Sequence, residues 1–282
     1  MTCDDVPMTR IAEYSRGPFT FDVIDSGPED GTPVVLLHGF PERAASWNAV
    51  AERLNAAGLR TYAVDQRGYA PRARPRSRFG YRGSELVEDI QELIEQIGQP
   101  VHVVGHDWGA AVAWGLAGQH PESVRSLTAV SVPHPAAFLK SMLTSSQGIK
   151  SYYMAMFQIP GLPTKLLSSP KIARRFLRNA GMTHQEVDLY LKQIVDDGAL
   201  LGGLGWYRSM PLVKKGDMKR VSVPTTYVWS DGDVALGRKG ADLCEQYVTG
   251  PYRFEIIEGA SHWLPTQHPD RLAQIITQRV EA

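Results

Sequence analysis

Asp107 is the central residue of a Gly-x-Asp-x-Gly motif that runs from Gly105 to Gly109. An apolar run precedes the motif and helix-forming residues follow it, which predicts a sharp strand-to-helix turn with Asp107 at its tip. In enzymes built on such a turn the tip residue is the nucleophile, usually a serine. A carboxylate is a weak acyl nucleophile, but it can displace a leaving group at saturated carbon and form an ester. The motif therefore points to substrates with strained or polarised C–O or C–halogen bonds.

Two more residues complete an order of nucleophile, acid and histidine along the chain. His262 follows the last apolar run, and an imidazole there can take a proton from water near neutral pH. Asp233 follows the run before it and would hold that imidazole in one tautomer. Asp231 is the alternative acid, although its Asp-Gly pair also suits a turn. We favour Asp233, because the acid of this arrangement lies several residues beyond its strand.

Backbone N–H groups are the expected donors for an oxyanion, and we assign them to Phe40 and Trp108. Phe40 lies in a His-Gly-Phe-Pro turn, and Trp108 directly follows the nucleophile. We also place His38, Pro41 and Trp263 in the substrate pocket. A plain strand-to-helix turn is compatible with the same His-Gly-Phe-Pro residues, so that reading does not compete with the oxyanion role.

His106 precedes the nucleophile, and we interpret it as structural because neighbouring residues at such a turn point to different sides. A metal site built from His38, His106, Asp107 and His262 is the alternative. These residues lack a recognised ligand spacing such as His-Glu-x-x-His. We therefore expect no metal and no cofactor.

The elements that must position these side chains alternate between strand and helix as far as Pro135, which predicts a mostly parallel sheet with helices on both faces. Strands are predicted over 19–25 (an edge strand), 33–37, 60–64, 101–104, 127–132, 225–229 and 252–257, and helices over 46–57, 84–97 and 272–280. Residues 136–219 are helical and loop-like and show no strand pattern. We expect a core of residues 1–135 and 220–282 with a helical lid, 136–219, inserted over the carboxyl ends of the strands, where ligands bind.

Two charged stretches stand out in the core. Ser84 is predicted to cap the helix over 84–97. The polar side of that helix is predicted to carry Glu88, Asp89, Glu92 and Glu95. An arginine cluster between the two predicted elements comprises Arg67, Arg72, Arg74, Arg76, Arg78 and Arg82. We interpret the cluster as a solvated loop, with an anionic lipid or partner as the alternative.

Composition excludes several classes of protein. The 282 residues suffice for one large α/β domain, and 30 Lys and Arg balance 30 Asp and Glu, which argues against nucleic acid as a partner. Cys3 and Cys244 form neither a disulfide framework nor a metal pattern. The first ten residues lack the apolar core of a signal peptide, and no apolar run is long enough for a membrane span. These features predict a cytoplasmic protein, either a monomer or a homodimer.

Gly-His-Asp-Trp-Gly-Ala and His-Gly-Phe-Pro together resemble the epoxide hydrolases of the α/β-hydrolase fold and their relatives, the haloalkane and fluoroacetate dehalogenases. The resemblance covers nearly the whole chain. It implies that two lid tyrosines hold the epoxide oxygen. Tyr153 lies four residues before a Phe-Gln-x-Pro-Gly segment and Tyr207 lies in Gly-Trp-Tyr-Arg, and both segments are similar to those of the family. Tyr152 is the alternative if the register differs by one residue.

The resemblance implies a hydrolase that converts a hydrophobic epoxide and water to a vicinal diol through an ester on Asp107. A phenol suits the opening of an epoxide, because it can hydrogen-bond the departing oxygen and deliver a proton. A haloalkane dehalogenase with the same nucleophile and a non-catalytic binding protein of this fold stay open as alternatives. An apolar lining of the lid is expected from Met142, Met154, Met156, Leu162 and Leu166, although methionines also serve as packing residues.

Overall fold

The computed structural model describes residues 10–282, without the side chain of Lys215. Cys3 and the start of the chain, for which we predicted no signal peptide, lie outside the described residues. Eight strands form one sheet. They are β1 (Glu13–Arg16), β2 (Phe19–Ser26), β3 (Thr32–Leu37), β4 (Leu59–Val64), β5 (Val101–His106), β6 (Val124–Val130), β7 (Thr225–Ser230) and β8 (Tyr252–Ile257).

The sheet runs in the order β1-β2-β4-β3-β5-β6-β7-β8. The pairs β1–β2 and β2–β4 are antiparallel, and all later pairs are parallel. Our prediction that residues 19–25 form an edge strand was wrong, because β1 lies outside β2. The four residues of β1 are too few and too polar to show a strand pattern in the sequence. The carboxyl ends of β3, β5, β7 and β8 share one edge of the sheet, where the predicted site residues follow them.

Helices cover both faces of the sheet. They are α1 (Asn48–Ala56), α2 (Gly83–Ile97), α3 (Trp108–Gln119), α11 (Arg238–Leu243), α12 (Leu264–Gln267) and α13 (Pro269–Val280). Side chains alternate along each strand, so Val34 and Leu36 join one apolar core with α1 and α13, whereas Val35 and Leu37 join the other with α2 and α3. The alternation accounts for the near-continuous apolar runs of the parallel strands, which are buried on both faces.

The chain between β6 and β7 is helical. It contains α4 (Pro135–Thr144), α5 (Gln147–Lys150), α6 (Tyr152–Phe157), α7 (Leu162–Leu167), α8 (Pro170–Asn179), α9 (His184–Tyr190), a π-helical turn (Leu191–Asp196) and α10 (Leu200–Ser209). We call this part of the chain the helical segment. Its buried side chains extend the core of the α2–α3 face. Of the helices that the structure describes, none has the length and apolar character needed to cross a membrane.

The start of α2 differs from the prediction. The helix begins at Gly83 and follows Arg82, and it has no side-chain cap, so Ser84 lies inside the first turn instead of capping it. Asp89, which we placed on the polar side, is buried and forms two hydrogen bonds with Arg67, from Nε to Oδ2 and from Nη2 to Oδ1, both of 2.6 Å. Arg67 is therefore a buried residue and no member of a solvated loop. Arg74 also pairs, with Asp197 of the helical segment.

Replacing Arg67 by methionine is expected to lower the free energy of unfolding by about 3–5 kcal/mol, because it removes the two shortest hydrogen bonds of the buried Asp89 carboxylate. Of the described contacts of that carboxylate, only the one of 3.1 Å with Arg16 Nη1 then remains. Urea unfolding followed by circular dichroism measures the change. Arg76→Met is the matched control, since Arg76 belongs to the same cluster and is exposed; its effect should stay within about 0.5 kcal/mol. Equal effects of the two substitutions would contradict a structural role for the buried pair.

Candidate active site

Asp107 occupies a strained turn between β5 and α3. Its backbone angles are φ 52° and ψ −119°, a combination that residues other than glycine rarely adopt. The flanking glycines are required by close packing. A Cβ atom on Gly105 would lie 2.2 Å from the carbonyl oxygen of Gly109, and one on Gly109 would lie 2.1 Å from that of Leu37. The motif thus forces the carboxylate outward at the end of the strand.

The structure brings Asp107, His262 and Asp233 together. His262 Nε2 lies 3.5 Å from Asp107 Oδ2, and His262 Nδ1 lies 2.6 Å from Asp233 Oδ2. All three residues are buried. The imidazole therefore lies between two carboxylates, with one ring nitrogen toward each.

Asp233 and Asp231 have different surroundings. The second oxygen of Asp233, Oδ1, accepts hydrogen bonds from the N–H groups of Ala235 at 2.8 Å and Leu236 at 2.9 Å, which fix the carboxylate toward the ring. Asp231 instead accepts a hydrogen bond of 2.6 Å from the N–H of Gly259, in a turn at the surface. Of the two candidates, Asp233 alone contacts the imidazole among the described hydrogen bonds.

The electrostatics of this group favour an ion pair. Burial by itself would raise the pKa of Asp107, but hydrogen bonding and the charge of His262 outweigh it and hold the pKa below its usual value. Burial opposes the protonated form of His262, yet Asp233 and Asp107 together raise its pKa well above the ordinary value. Both shifts favour an ionised Asp107 beside a protonated imidazole.

The N–H of Phe40 donates a hydrogen bond of 2.8 Å to Asp107 Oδ1. Phe40 follows β3 and is joined to Pro41 by a cis peptide bond. Trp108 opens α3, where the first N–H groups of a helix have no partner within the helix. Both predicted oxyanion donors therefore belong to backbone that adjoins the carboxylate.

Two cavities meet at Asp107. One, of about 380 Å³, runs along α3, and we call it the α3 arm. The other, of about 430 Å³, runs past His262 to α8, and we call it the α8 arm. Asp107, Tyr153 and Tyr207 line both arms. Each arm has a volume typical of a small-molecule site, and a ligand at Asp107 has space on two sides.

The residues predicted to line a substrate pocket separate into two groups. Pro41 and Trp263 line the α8 arm. His38 lines neither cavity and is fully buried. Its ring is held by backbone groups: Nδ1–H donates to the carbonyl of Gly39 at 3.0 Å, and Nε2 accepts from the N–H of Gln66 at 3.2 Å. We therefore correct its role from contacting substrate to holding the loop that carries Phe40.

Tyr153 of α6 and Tyr207 of α10 come together although 54 residues separate them along the chain. Their ring centroids lie 6.1 Å apart, and both rings contact Phe157, at 5.5 and 4.9 Å. Tyr152, the alternative, is 65% exposed and lines only the outer α8 arm. Of the two neighbouring tyrosines, Tyr153 alone lines both arms together with Asp107.

Both phenols are neutral in this environment. Burial raises the pKa of Tyr153, and the nearby Asp107 carboxylate raises it further. Burial, followed by the neighbouring Tyr153 and Asp107, raises the pKa of Tyr207 well above its ordinary value. Two neutral O–H donors therefore share the cavity walls with the Asp107 carboxylate.

We interpreted His106 as structural, but sequence reasoning did not show that it contacts His262 from behind, and it missed Ser131 and Glu42. The carbonyl oxygen of His262 accepts hydrogen bonds from His106 Nε2 at 2.9 Å and from Ser131 Oγ at 3.2 Å. The other ring nitrogen of His106 lies 3.1 Å from Glu42 Oε2. No local pattern signals these contacts, because they join residues far apart in the chain. The one related feature of the sequence is Glu42, an acid that directly follows the His-Gly-Phe-Pro motif.

Gln158, which belongs to the Phe-Gln-x-Pro-Gly segment, connects the two tyrosine-bearing helices. Its Nε2 donates to the carbonyl oxygen of Tyr207 at 2.8 Å. In return, Arg208 Nε donates to the carbonyl oxygen of Phe157 at 3.3 Å. The two sequence segments are thus tied to each other, which fixes the spacing of the phenols.

Two further expectations concern ligands and lining. Within residues 10–282, no group of three His, Cys, Asp or Glu side chains is arranged to hold a metal ion. Of the five apolar residues expected to line the lid, Met154 lines the α3 arm. Met142 and Met156 pack on the core, Leu162 is exposed, and the half-buried Leu166 lines neither arm. The apolar wall of the α3 arm comes instead largely from α2, α3 and α4.

Comparison with known proteins agrees with this architecture. The sequence profile of the alpha/beta hydrolase family matches residues 34–275. The chain is 35% identical to the AB hydrolase superfamily protein YfhM of Bacillus subtilis, over 92% of this chain and 93% of that protein. It is 34% identical to epoxide hydrolase 3 of Xenopus tropicalis, over 91% of this chain and 73% of that protein.

Solved structures give the same result. The crystal structure of epoxide hydrolase A from Mycobacterium thermoresistibile superposes with a TM-score of 0.81 at 25% identity, over 96% of this chain and 98% of that one. The chain therefore belongs to the alpha/beta hydrolase family and groups there with the epoxide hydrolases.

Proposed function

We propose that the protein opens a hydrophobic epoxide to a vicinal diol through a covalent hydroxyalkyl ester on Asp107. The observation that carries this proposal is the pair of neutral phenols, Tyr153 and Tyr207, on the walls of both arms beside an ionised carboxylate. A departing epoxide oxygen needs a hydrogen-bond donor that can also give it a proton, and a phenol meets both needs. A departing halide needs no proton.

In the first step, Asp107 attacks one ring carbon in line with the breaking C–O bond. Its lowered pKa keeps the carboxylate ionised and ready to attack. Tyr153 and Tyr207 hydrogen-bond the oxygen that leaves the carbon, and one of them supplies its proton. The product of this step is an ester in which Asp107 carries the hydroxyalkyl group.

In the second step, His262 acts as the base. Formation of the ester removes the negative charge of Asp107, one of the two charges that raise the pKa of His262. The imidazole then gives its proton to the tyrosinate that the first step leaves, and it can accept another from water. Water attacks the ester carbonyl carbon, and the N–H groups of Phe40 and Trp108 hold the developing oxyanion. The C–O bond to the diol breaks as the imidazolium protonates the departing oxygen, and the new carboxyl group of Asp107 then passes its proton to the imidazole.

The division of labour between the two parts of the chain belongs to the same proposal. Residues 1–135 and 220–282 act as the core that carries Asp107, Asp233 and His262, and residues 136–219 act as a lid that carries the tyrosines. A lid that covers the carboxyl edge of the sheet excludes bulk water from the ester. The support for this role is the position of Tyr153 and Tyr207 on the arm walls.

Turnover of three substrates tests the proposal: styrene oxide, a bromoalkane and an aryl ester, each followed by mass spectrometry. Diol from styrene oxide is expected, with little bromide release or ester cleavage. A single turnover in water labelled with heavy oxygen should give unlabelled diol and a labelled Asp107 peptide, because water attacks the ester carbonyl carbon. Bromide release without diol would establish a haloalkane dehalogenase instead, and silence on all three would favour a binding protein.

A further inference from the structure

The two arms differ in the charged residue that each presents besides the reacting groups. Among the described lining residues, Lys150 is the one charged residue of the α8 arm apart from Asp107 and His262. Among the described lining residues of the α3 arm, Asp217 is the one charged residue apart from Asp107. The other lining residues of both arms are mostly apolar. The site is thus apolar along its length, with a cation in one arm and an anion in the other.

Lys150 is available for a ligand. It is the last residue of α5, is half-buried and lines the α8 arm. Within residues 10–282, no hydrogen bond or ion pair joins its ammonium group to another side chain. A lysine that lines a cavity without an anionic neighbour is a ready partner for a carboxylate.

We propose that Lys150 is a specificity-determining residue that receives an anionic group of the substrate. Preferred substrates are then epoxides with a substituent on each ring carbon, one an apolar chain and the other a chain that ends in a carboxylate. The apolar chain occupies the α3 arm and the carboxylate reaches Lys150 through the α8 arm. This assignment rests on the proposed function and adds to it the orientation of the substrate at Asp107.

Charge also disfavours the reverse orientation. A carboxylate placed in the α3 arm would approach Asp217 and would have to pass side chains such as Val87, Val112 and Met210. Burying a charge among apolar groups without a partner is costly, and a like charge adds to that cost. The two arms therefore act together, since Lys150 in the α8 arm attracts the carboxylate and Asp217 in the α3 arm repels it.

The epoxide of oleic acid and its methyl ester test the assignment, because they differ only in the charge that Lys150 is proposed to bind. Initial rates of diol formation are measured below the micellar concentration of the acid, for the wild type and for Lys150→Met, which keeps the length of the side chain. We expect kcat/KM for the acid to fall about tenfold, mainly through KM, since one charge-assisted contact is lost. For the methyl ester, kcat/KM should not change.

Two further variants control the result. Lys165→Met removes an exposed lysine of α7 that lines neither arm, and it should leave both substrates unaffected. Lys150→Arg keeps the charge and should keep the preference for the acid. The preference of the wild type for the acid should also weaken as salt is added, because salt screens a half-exposed pair.

The outcomes separate the two proposals. If the wild type opens styrene oxide or the methyl ester but Lys150→Met affects acid and ester alike, or affects neither, the role of Lys150 is overturned and the proposed function stands. If the folded wild type opens no epoxide, both proposals fall together. A tenfold loss that is confined to the acid, restored by arginine, supports the assignment.

Discussion

The His262→Gln variant is expected to consume one equivalent of epoxide rapidly and then to stop, with the ester accumulated on Asp107. Attack on the ring needs the carboxylate and the two phenols, and glutamine leaves all of these in place. Hydrolysis of the ester needs a base for water, and loss of a general base lowers a rate by about 10²–10⁴-fold. Stopped-flow tryptophan fluorescence measures the burst, and intact-protein mass spectrometry detects an increase equal to the mass of the epoxide.

Asp107→Ala is the control for that experiment, because it removes the nucleophile and should show neither the burst nor the mass increase. Digestion of the trapped His262→Gln protein should locate the added mass in the peptide that contains Asp107. Steady turnover by His262→Gln at a rate near that of the wild type would exclude His262 as the base. A burst in the Asp107→Ala variant would exclude Asp107 as the nucleophile.

The double variant Tyr153→Phe with Tyr207→Phe is expected to lose nearly all ring opening. Removal of one hydrogen-bond donor to a developing oxyanion costs about 10²–10³-fold in rate. Each single variant keeps one phenol and should retain a measurable rate, whereas the double variant has no proton donor for the epoxide oxygen. Single-turnover formation of the ester, measured in the His262→Gln background, isolates this step from the later hydrolysis.

Tyr152→Phe provides the matched control on the same helix. Tyr152 precedes Tyr153 directly, but its side chain is mostly exposed, so loss of its hydroxyl should leave ester formation unchanged. Thermal unfolding of all four variants checks that the buried aromatic cluster stays intact. A double variant that forms the ester at the wild-type rate would refute the role of the two tyrosines, and a large effect of Tyr152→Phe would shift the register by one residue.

The sequence predicted those features that local rules control. Apolar runs with turn residues at their ends indicated the six strands β3 to β8, because buried parallel strands read as continuous apolar segments. A weak alternation of apolar and polar residues indicated β2. The glycines around Asp107 indicated the turn, since only glycine permits the close approach of the neighbouring backbone. The order of Asp107, Asp233 and His262 followed from their positions after strands, and the structure brings those three side chains together. The resemblance to epoxide hydrolases supplied the two tyrosines.

Two of the wrong predictions, those for Asp89 and His38, have a common cause in tertiary packing. Asp89 looked like an exposed helix residue, because its spacing on α2 places it beside other acids, yet the buried Arg67 turns toward it. His38 looked like a pocket residue, because it adjoins Phe40, yet its ring points into the protein. Helix period and sequence neighbourhood say which residues share a face, but they do not say what lies opposite that face.

Sequence alone thus determined the alternation of strands and helices in the core, the turn that carries Asp107 and the candidate residues at the carboxyl edge of the sheet. The structure alone decided what surrounds those residues: the contacts of His106 and Ser131 behind His262, and the two arms with Lys150 in one and Asp217 in the other. The physical reason is the range of the interactions. Backbone turns and apolar periodicity act between residues close in the chain, whereas cavity walls and buried charges arise from segments that meet only when the helical segment packs over the sheet.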